Sequence, residues 1–299
     1  KMEMEKVPEA GYRIEGLPVR GLKRKLTLEN VKVLYNLWKS LRKARKIIRE
    51  FKPDAVVGVG GYASGPIGRV AAEAGIPLIL QEQNSYAGVT NKLLAKKACK
   101  ICVAYEGMER FFEKKKIIFT GNPVRKDLLQ AREIRAEGIE FYGLDASKKT
   151  ILVTGGSLGA GTLNKAVMRC LKDIGQWQEV QVLWQCGSYY YEDLKKQLDG
   201  KLPENVKLLA FLKRMDLAYA AADIVVARAG AGTKNAMALV DKGAAVMIRD
   251  TEAEERLEQV LTGLLSDEKQ RKELEKHIAK LAIRDSDEQI AREILKVIG

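Results

Sequence analysis

The sequence predicts an α/β protein of two domains, each built around a parallel sheet. Its 299 residues are about twice the length of a typical domain. Short runs rich in apolar, β-branched residues alternate with helical stretches, and most of these runs are continuous rather than alternating between apolar and polar positions. That pattern is typical of parallel strands covered by helices on both faces.

We expect strands, in chain order, at Ala55–Val59, Pro77–Gln81, Lys100–Ala104, Ile117–Thr120, Thr150–Thr154, Val180–Gln185, Val206–Ala210, Asp223–Ala227 and Ala244–Ile248. One helix is expected from about Pro66 to Gly75, with Ser64 as its N-cap. Another begins near Thr162 and has an apolar face at Leu163, Val167, Cys170, Leu171 and Ile174. Helices between successive strands predict right-handed crossover connections.

A domain boundary is expected after residues 121–125, which read GNPVR. Residues 126–148 are charged and lack a strand pattern, and the β/α alternation resumes at Thr150. The C-terminal segment is a separate element: Ser286 and Gln289 match a capping box, and they precede an apolar stripe formed by Ile290, Ile294 and Val297.

The net positive charge of the chain comes entirely from its first half. Residues 1–130 hold 26 basic and 13 acidic residues, a net of +13, whereas residues 131–299 hold 26 of each. Within the first half, residues 20–52 carry twelve basic and two acidic side chains. One domain is therefore expected to meet an anionic partner, and nucleic acid, an anionic membrane surface and phosphorylated substrates all remain candidates.

Several classes of protein are disfavoured by composition. No apolar run reaches the roughly 18 residues of a membrane span, and the opening KMEMEKVPEAG has no signal-peptide core. Four cysteines are not a disulfide framework, which favours a reducing cytoplasm. Cys99 and Cys102 have C-x-x-C spacing, but we expect Cys102 in the core; His277, the single histidine, is expected on the surface. A Ser/His/Asp nucleophile set or a histidine-based metal site is therefore not supported.

Three glycine-rich turns follow predicted strands. They read GVGGYASGP at 58–66, GGSLGAG at 155–161 and RAGAGT at 228–233. Glycine lets backbone N–H groups approach a phosphate, and a following helix N-terminus adds a favourable dipole. Such turns favour a nucleotide or phosphosugar site over tight helix–strand packing alone, the alternative explanation. Neither a dinucleotide-binding fingerprint nor a P-loop is present.

Polar residues follow the second and fourth predicted strands. The segment QEQN at 81–84 lies where functional side chains project from a parallel sheet, and Asn122 and Arg125 close the first half in the same way. Arg125 could bind a phosphate or a carboxylate. The alternatives are a solvated loop for 81–84 and an ordinary surface position for Arg125.

Residues 26–51 predict a basic amphipathic helix, with one face formed by Val31, Leu34, Tyr35, Trp38 and Leu41. This face either packs on the core or, with Tyr35 and Trp38 as apolar anchors among lysines and arginines, binds an anionic bilayer. An RNA-binding surface lacks support from any stacking motif.

Taken in order, GVGGYASGP, QEQNSYAGVTNK, GNPVR, TGGSLGAGTLN and RAGAGT resemble the MurG family of bacterial N-acetylglucosaminyltransferases, over the whole chain. The resemblance implies a GT-B fold, in which two Rossmann-like domains with parallel sheets face each other across a cleft. Residues 1–126 with 285–299 would form the acceptor-binding and membrane-facing domain, and 127–284 the domain that binds the UDP-sugar. It also implies a peripheral enzyme on the cytoplasmic face of the bacterial cell membrane that needs no cofactor.

The same resemblance implies roles for individual residues. It assigns the UDP-sugar to Asn84, Arg125, Ser157, Leu212, Ala231 and Thr233, with Gly156 and Gly232 in the same turns; at Leu212 the family's backbone meets the uracil. On the acceptor side lie Tyr62, Glu82 and Asn84. Glu82 is the expected general base for a separate reason, because it is the only acid within these motifs. Membrane contact is expected from Lys23, Arg24, Lys25, Lys32, Leu34, Tyr35 and Trp38. The implied partners are UDP-N-acetylglucosamine, a lipid-linked muramyl-pentapeptide and an anionic membrane surface, but no nucleic acid.

The sequence departs from the family pattern in two places. It lacks the opening GTGGH motif with its candidate catalytic histidine, and after RAGAGT it lacks the glutamate and glutamines expected near the nucleotide-sugar. We therefore expect segments to be missing before Lys1 and between Thr233 and Lys234. The alternatives are another GT-B enzyme, such as a UDP-N-acetylglucosamine 2-epimerase, and a basic nucleic-acid-binding protein.

Overall fold

The computed structural model describes residues 3–19, 29–124, 133–229 and 233–299. Its contacts divide the chain into two compact units. The first unit comprises Lys1–Pro123 together with Asp285–Gly299, and the second comprises Val124–Arg284. The first unit is therefore built from two separate stretches of the chain.

The first unit contains a four-stranded parallel sheet in the order β1-β2-β3-β4. Its strands are β1 (Val56–Gly58), β2 (Leu78–Glu82), β3 (Lys100–Val103) and β4 (Ile117–Phe119). The helices of this unit are α1 (Glu3–Glu9), α2 (Glu29–Phe51), α3 (Gly61–Glu73), α4 (Val89–Leu94) and, from the C-terminal stretch, α12 (Ser286–Ile298).

The central strands β2 and β3 are buried on both faces. Leu80 and Ile101 belong to an apolar cluster on one face, and Leu94 of α4 packs into the same cluster. On the other face, Ile79 and Cys102 pack against Ile290 of α12. The predicted C-terminal stripe is confirmed, because Ile294 and Val297 join this second cluster.

The second unit contains another four-stranded parallel sheet, in the order β7-β6-β5-β8. The strands are β5 (Lys149–Thr154), β6 (Val180–Gln185), β7 (Val206–Leu209) and β8 (Ile224–Ala227). The helices are α5 (Arg135–Tyr142), α6 (Gly161–Ile174), α7 (Tyr191–Gln197), α8 (Met215–Ala221), α9 (Thr233–Val240), α10 (Ala253–Ser266) and α11 (Glu268–Leu281).

The strand order of the second sheet reverses at β5. From β5 it adds β6 and β7 on one side, and it then returns to place β8 on the other side. The residues of β5 alternate between two apolar clusters: Ile151 and Val153 face the one that includes α6 and α10, and Leu152 faces the one that includes Leu217 of α8. The predicted apolar face of α6 is confirmed, since all of its residues lie in the first of these clusters.

Three predicted local features are wrong. Residues 244–248 form no strand in the part of the chain that the structure describes; they pair with no neighbour there, and Val246 is exposed. Helix α3 begins at Gly61 rather than Pro66 because Gly60 and Gly61 both take positive φ angles and turn the chain directly into the helix. The Ser64 hydroxyl donates to the carbonyl of Gly60, so it does not cap the helix N-terminus.

The capping of the last helix also differs from the prediction. Asp285, one residue before Ser286, is the N-cap of α12. Its carboxylate accepts a hydrogen bond from Nε2 of Gln289 at 2.9 Å. The predicted Gln289 therefore does contact the N-cap side chain, but the N-cap is Asp285 and not Ser286.

Candidate functional site

In the first unit, polar groups converge on the carboxylate of Glu82, the last residue of β2. This side chain is only 2% exposed. Its Oε1 accepts from the backbone N–H and from Nδ2 of Asn84, both at 3.1 Å. Its Oε2 accepts from the N–H of Gly88 at 2.8 Å and from Nδ2 of Asn91 at 2.9 Å. Four N–H donors therefore hold one buried carboxylate, and this binds the loop 83–88 to the end of the strand.

Asn91 is a second centre of this network, and it was not among the site residues predicted from the sequence. It is buried in α4 and also donates to the carbonyl of Gln81 at 3.0 Å. Among the described residues, Asn91 Oδ1 and Gln81 Nε2 are buried without a hydrogen-bond partner. The signal that could have revealed Asn91 was its place in the segment QEQNSYAGVTNK, as a polar residue in a short helix.

The first glycine-rich turn borders this network. A Cβ built on Gly60 would lie 3.9 Å from Nδ2 of Asn91. Tyr62, on the first turn of α3, projects outward and is 65% exposed. The structure thus brings Glu82 and Asn84 into direct contact and sets the turn that precedes Tyr62 beside them. Arg125 lies outside the described residues.

In the second unit, the turn after β5 is shaped by glycines. Gly156 and Gly159 have φ angles of 82° and 84°, which L-residues with side chains rarely adopt. The N–H of Gly159 donates to the carbonyl of Gly156 at 2.9 Å. A Cβ on Gly159 would collide with the carbonyl oxygen of Cys186, so two loops approach each other here at backbone distance. Ser157 is exposed at the tip of the turn.

This turn lies at the point where the sheet reverses direction. Thr154 ends β5 and pairs with Ala227, which ends β8, so the turns after both strands start at the same edge. Ligands of open α/β sheets bind at such reversal points, outside the carboxyl ends of the strands. Helix α6 follows the turn after β5, and no side chain caps its N-terminus. The N-terminal N–H groups and the helix dipole therefore favour an anion there. Ala231 and Gly232 lie outside the described residues, whereas Thr233 is exposed at the start of α9.

Leu212 lies in the loop between β7 and α8, but its side chain is only 3% exposed. It packs in the apolar cluster that contains Leu152, Leu183 and Leu217. A ligand at this loop could therefore meet the backbone of Leu212 but not its side chain. The neighbouring Phe211 is exposed.

Helix α2 carries an exposed apolar surface formed by Leu34, Tyr35, Leu37 and Trp38, which we call the α2 aromatic surface. The rings of Tyr35 and Trp38 stack with centroids 6.2 Å apart, and the Arg42 guanidinium lies 5.7 Å from the Trp38 ring centroid. The helix is buried instead through Ser40, Ala44 and Ile48.

The interpretation of Tyr35 and Trp38 as core residues is therefore wrong. The basic residues expected beside them are only partly described. Lys23, Arg24 and Lys25 lie outside the described residues, and of Lys32 the structure describes the backbone alone.

Cys102 and His277 lie where the sequence predicts them. Cys102 is buried, as expected, and burial raises the pKa of its thiol to about 11. His277 lies near the surface, with Nδ1 3.1 Å from the carbonyl oxygen of Gly243. Within the described ranges, no three His, Cys, Asp or Glu side chains are grouped to hold a metal ion. No helix there is long and apolar enough to cross a bilayer.

Comparison with known proteins identifies the family. Residues 1–103 match the glycosyltransferase family 28 N-terminal domain, and residues 150–233 match the family 28 C-terminal domain. The chain is 51% identical, over 323 aligned positions, to a UDP-N-acetylglucosamine–N-acetylmuramyl-(pentapeptide) pyrophosphoryl-undecaprenol N-acetylglucosamine transferase of Parabacteroides distasonis, and the match covers 100% of this chain and 88% of that protein. A protein of the same name from Porphyromonas gingivalis is 44% identical, covering 100% of this chain and 85% of the relative.

Solved structures agree with this assignment. The crystal structure of Acinetobacter baumannii MurG superposes with a TM-score of 0.72 at 27% identity, covering 99% of this chain and 88% of the other. A UDP-GlcNAc 2-epimerase from Neisseria meningitidis, solved with UDP-GlcNAc bound, has a TM-score of 0.65 at 15% identity, covering 92% and 84%. At that identity the second likeness concerns the fold alone. With two family domains and whole-length relatives at this level of identity, the chain belongs to glycosyltransferase family 28 and, within it, to the MurG family.

Proposed function

We propose that this protein transfers N-acetylglucosamine from UDP-N-acetylglucosamine to the muramyl 4-hydroxyl of undecaprenyl-pyrophosphoryl-MurNAc-pentapeptide, lipid I. The product is lipid II, the disaccharide precursor of peptidoglycan. The observation that carries this proposal is the identity of 42–51% to eight relatives that bear the transferase name, of each of which the match covers 85–88%. The glycine-rich turns in both units supply the phosphate-binding chemistry that such substrates need.

The UDP-sugar is assigned to the second unit. The exposed turn with Gly156 and Ser157 precedes α6, whose N-terminus has no side-chain cap, and it would receive the diphosphate. The backbone at Leu212 would meet the uracil, and Thr233 at the start of α9 would complete the site with Arg125, Ala231 and Gly232. The second unit should therefore bind UDP when it is expressed as residues 124–284, a stretch that includes Arg125. UDP binding by the first unit alone would reverse this assignment.

The acceptor is assigned to the first unit, at Tyr62, Glu82 and Asn84. Attack of the 4-hydroxyl oxygen on the anomeric carbon forms the new glycosidic bond while the bond to UDP breaks, which inverts the anomeric centre. The leaving diphosphate gains negative charge, and backbone N–H groups at helix N-termini stabilise it. The hydroxyl proton must pass to a base. The carboxylate of Glu82 is the base that we propose accepts this proton. Each of its oxygens already accepts two hydrogen bonds from N–H groups, so one of these bonds must break first.

The lipid-linked acceptor requires contact with a bilayer, which we assign to the α2 aromatic surface and the basic residues around it. Each basic group near an anionic surface contributes about 1 kcal/mol, and apolar anchors add a part that salt does not screen. With this contact the protein would be peripheral, on the cytoplasmic face of the bacterial cell membrane. Changing Lys23, Arg24, Lys25 and Lys32 to Glu should release it from anionic vesicles at low salt and leave UDP affinity unchanged.

The transferase activity is tested with UDP-N-acetylglucosamine labelled in the sugar and a lipid I analogue. The expected result is label in the lipid fraction and one UDP released per sugar transferred. Omitting the acceptor is the control, because a 2-epimerase would convert the nucleotide-sugar without it. A salt titration with RNA and DNA addresses the nucleic-acid alternative. Conversion without acceptor, or no transfer under any condition, would contradict the proposal.

A further inference from the structure

Gln185, the last residue of β6, joins three segments of the second unit. Its side chain is only 2% exposed. Its Oε1 accepts from the Thr154 hydroxyl at 2.6 Å, and its Nε2 donates to the carbonyl of Gly156 at 2.8 Å and to that of Ala210 at 3.3 Å. One buried amide thus bridges the end of β5, the turn after β5 and the loop after β7.

Two of these segments are the ones proposed to hold the nucleotide. Gly156 precedes Ser157 in the turn assigned to the diphosphate, and Ala210 lies two residues before Leu212 in the loop assigned to the uracil. The two loops come from β5 and β7, which lie on opposite sides of β6. The separation between their carbonyl groups therefore depends on a side chain at the end of the strand between them.

We propose that Gln185 is a positioning residue that fixes the diphosphate turn and the uracil loop at the spacing that UDP requires. It cannot touch the ligand, because it is buried beneath both loops. Its effect is preorganisation: loops already held at the bound spacing lose less conformational freedom when the ligand arrives. This inference rests on the proposed assignment of UDP to the second unit.

The same strand offers a matched control at its other end. Gln181 is also buried, and its Oε1 accepts from the N–H of Asp145 at 2.9 Å. Its Nε2 donates to the carbonyl of Asp145 at 2.8 Å and to the Thr150 hydroxyl at 3.0 Å. Each glutamine therefore makes three hydrogen bonds, one of them to a threonine of β5. Only the bonds of Gln185 reach the carboxyl ends of the strands, where the nucleotide is proposed to bind.

The test compares Gln185→Leu with Gln181→Leu in the whole chain, by calorimetric titration with UDP and by urea unfolding. Each variant removes three hydrogen bonds made by a buried side chain, so both should lower the free energy of unfolding. Only Gln185→Leu should also weaken UDP binding, by about ten- to a hundredfold, the range seen when supporting hydrogen bonds are removed at metal sites. The KM for UDP-N-acetylglucosamine should rise with it, by a larger factor than kcat falls.

Gln185→Glu serves as a second variant in case the leucine disrupts folding. It keeps the shape of the side chain. A carboxylate donates no hydrogen bond and a protonated carboxyl donates only one, so at least one of the bonds to Gly156 and Ala210 is lost and UDP affinity should fall. Unchanged UDP affinity in the Gln185 variants, or an equal loss in Gln181→Leu, would overturn the inference. Failure of the unaltered protein to bind UDP would instead overturn the proposed function on which the inference rests.

Discussion

Ser157 tests the placement of the diphosphate. Its side chain is exposed at the tip of the turn after β5, so bulk added there should displace a ligand without disturbing the core. Ser157→Leu should weaken UDP binding at least about tenfold, or roughly 1.4 kcal/mol. The free energy of unfolding should change by less than about 0.5 kcal/mol, as is usual for surface substitutions. Calorimetric UDP titration and urea unfolding measure the two effects.

The control for this substitution is Ser266→Leu. Ser266 is exposed at the end of α10 in the same unit, away from the glycine-rich turns in the sequence. It should leave both UDP affinity and stability close to those of the unaltered protein. Full UDP affinity in Ser157→Leu would show that the diphosphate lies elsewhere.

Glu82 tests whether a carboxylate that organises a loop also serves catalysis. In Glu82→Gln one acceptor oxygen becomes an NH2 group that faces N–H donors, so at least one pair of hydrogen bonds is lost. Leaving buried partners unsatisfied costs about 1–3 kcal/mol, and the free energy of unfolding should fall by that amount together with turnover. The control is Glu50→Gln in the same unit, which removes an exposed ion pair with Lys46 and should cost at most about 1 kcal/mol.

The two possible roles of Glu82 give different results in this experiment. If Glu82→Gln abolishes transfer at full stability, the carboxylate acts in proton transfer and the loop does not depend on it. If stability falls and activity is partly retained, the hydrogen-bonded loop is its main role. Wild-type behaviour in both measurements would contradict both roles.

At this scale the sequence predicted where the candidate site residues lie on the two sheets better than it predicted the buried residues that support them. Glycine-rich turns and the QEQN segment have recognisable patterns, and the structure places them at the carboxyl ends of strands. Asn91 and Gln185 act through buried hydrogen bonds to backbone groups that are distant in the chain. A glutamine at a strand end looks the same in sequence whether its partners are solvent or two loops, so only the three-dimensional contacts reveal its role.

Helix α2 allows core and surface roles to be separated on one element. Trp38 is 55% exposed, whereas Ile48 is 8% exposed. Trp38→Ala should weaken binding to anionic vesicles, chiefly the part that persists at high salt, with little change in the melting temperature. Ile48→Ala should lower the free energy of unfolding by about 2–5 kcal/mol and leave vesicle binding of the folded protein intact. Vesicle sedimentation beside a melting curve measures both.

The expected pattern would be contradicted by either reversal. If Trp38→Ala lowers the melting temperature as much as Ile48→Ala, the aromatic side chain is structural in solution. If vesicle binding is unchanged by Trp38→Ala, the α2 aromatic surface does not contact the bilayer.

Strands were easier to predict than helix ends. The eight strands observed in the described residues all coincide with predicted ones, to within one residue at each end, because continuous apolar runs identify buried strands. Residues 244–248 are also a continuous apolar run, but they pair with no neighbouring strand in the described residues. An apolar composition does not reveal whether a neighbouring strand is available for pairing. The predicted start of α3 is wrong because Pro66 resembles a first-turn proline. The helix in fact begins at Gly61, directly after Gly60.

The thiols report on the folding of both units. Cys99 is exposed, whereas Cys102, Cys170 and Cys186 are buried, and burial raises the pKa of each of these three thiols to about 11. At neutral pH the native protein should therefore react with one equivalent of an alkylating reagent, and with four after unfolding. More than one rapidly reacting thiol in the native state would contradict the burial described here.

These pKa values also predict a pH dependence. In the unfolded chain a thiol titrates near its ordinary pKa of 9.0, and in the folded protein the three buried thiols titrate near 11. Their contribution to stability is complete below pH 9 and is lost as the pH rises towards 11, because the unfolded state then releases protons that the folded state retains. Urea unfolding between pH 8 and pH 11 measures this loss. Cys170→Ala should make the decline shallower.

At the scale of the molecule, the sequence predicted two α/β domains with parallel sheets and an excess of positive charge in one of them. Both predictions rest on properties that add along the chain, such as composition, periodicity and charge. The order of strands in the second sheet is not a sum of local properties of this kind. The return of β8 to the side of β5 away from β6 depends on long-range pairing, and it creates the edge where two glycine-rich turns start together.

The discontinuous first unit has a consequence for synthesis on the ribosome. Ile79 and Cys102 stay uncovered on one face of the first sheet until α12 is translated, and all of the second unit must be made before then. At about 5–20 residues per second, that delay lasts on the order of ten to thirty seconds. During it, the nascent chain carries an open apolar sheet face while the second unit, whose residues are contiguous, can already fold. Protection by a chaperone should therefore matter most for this face of the nascent first unit.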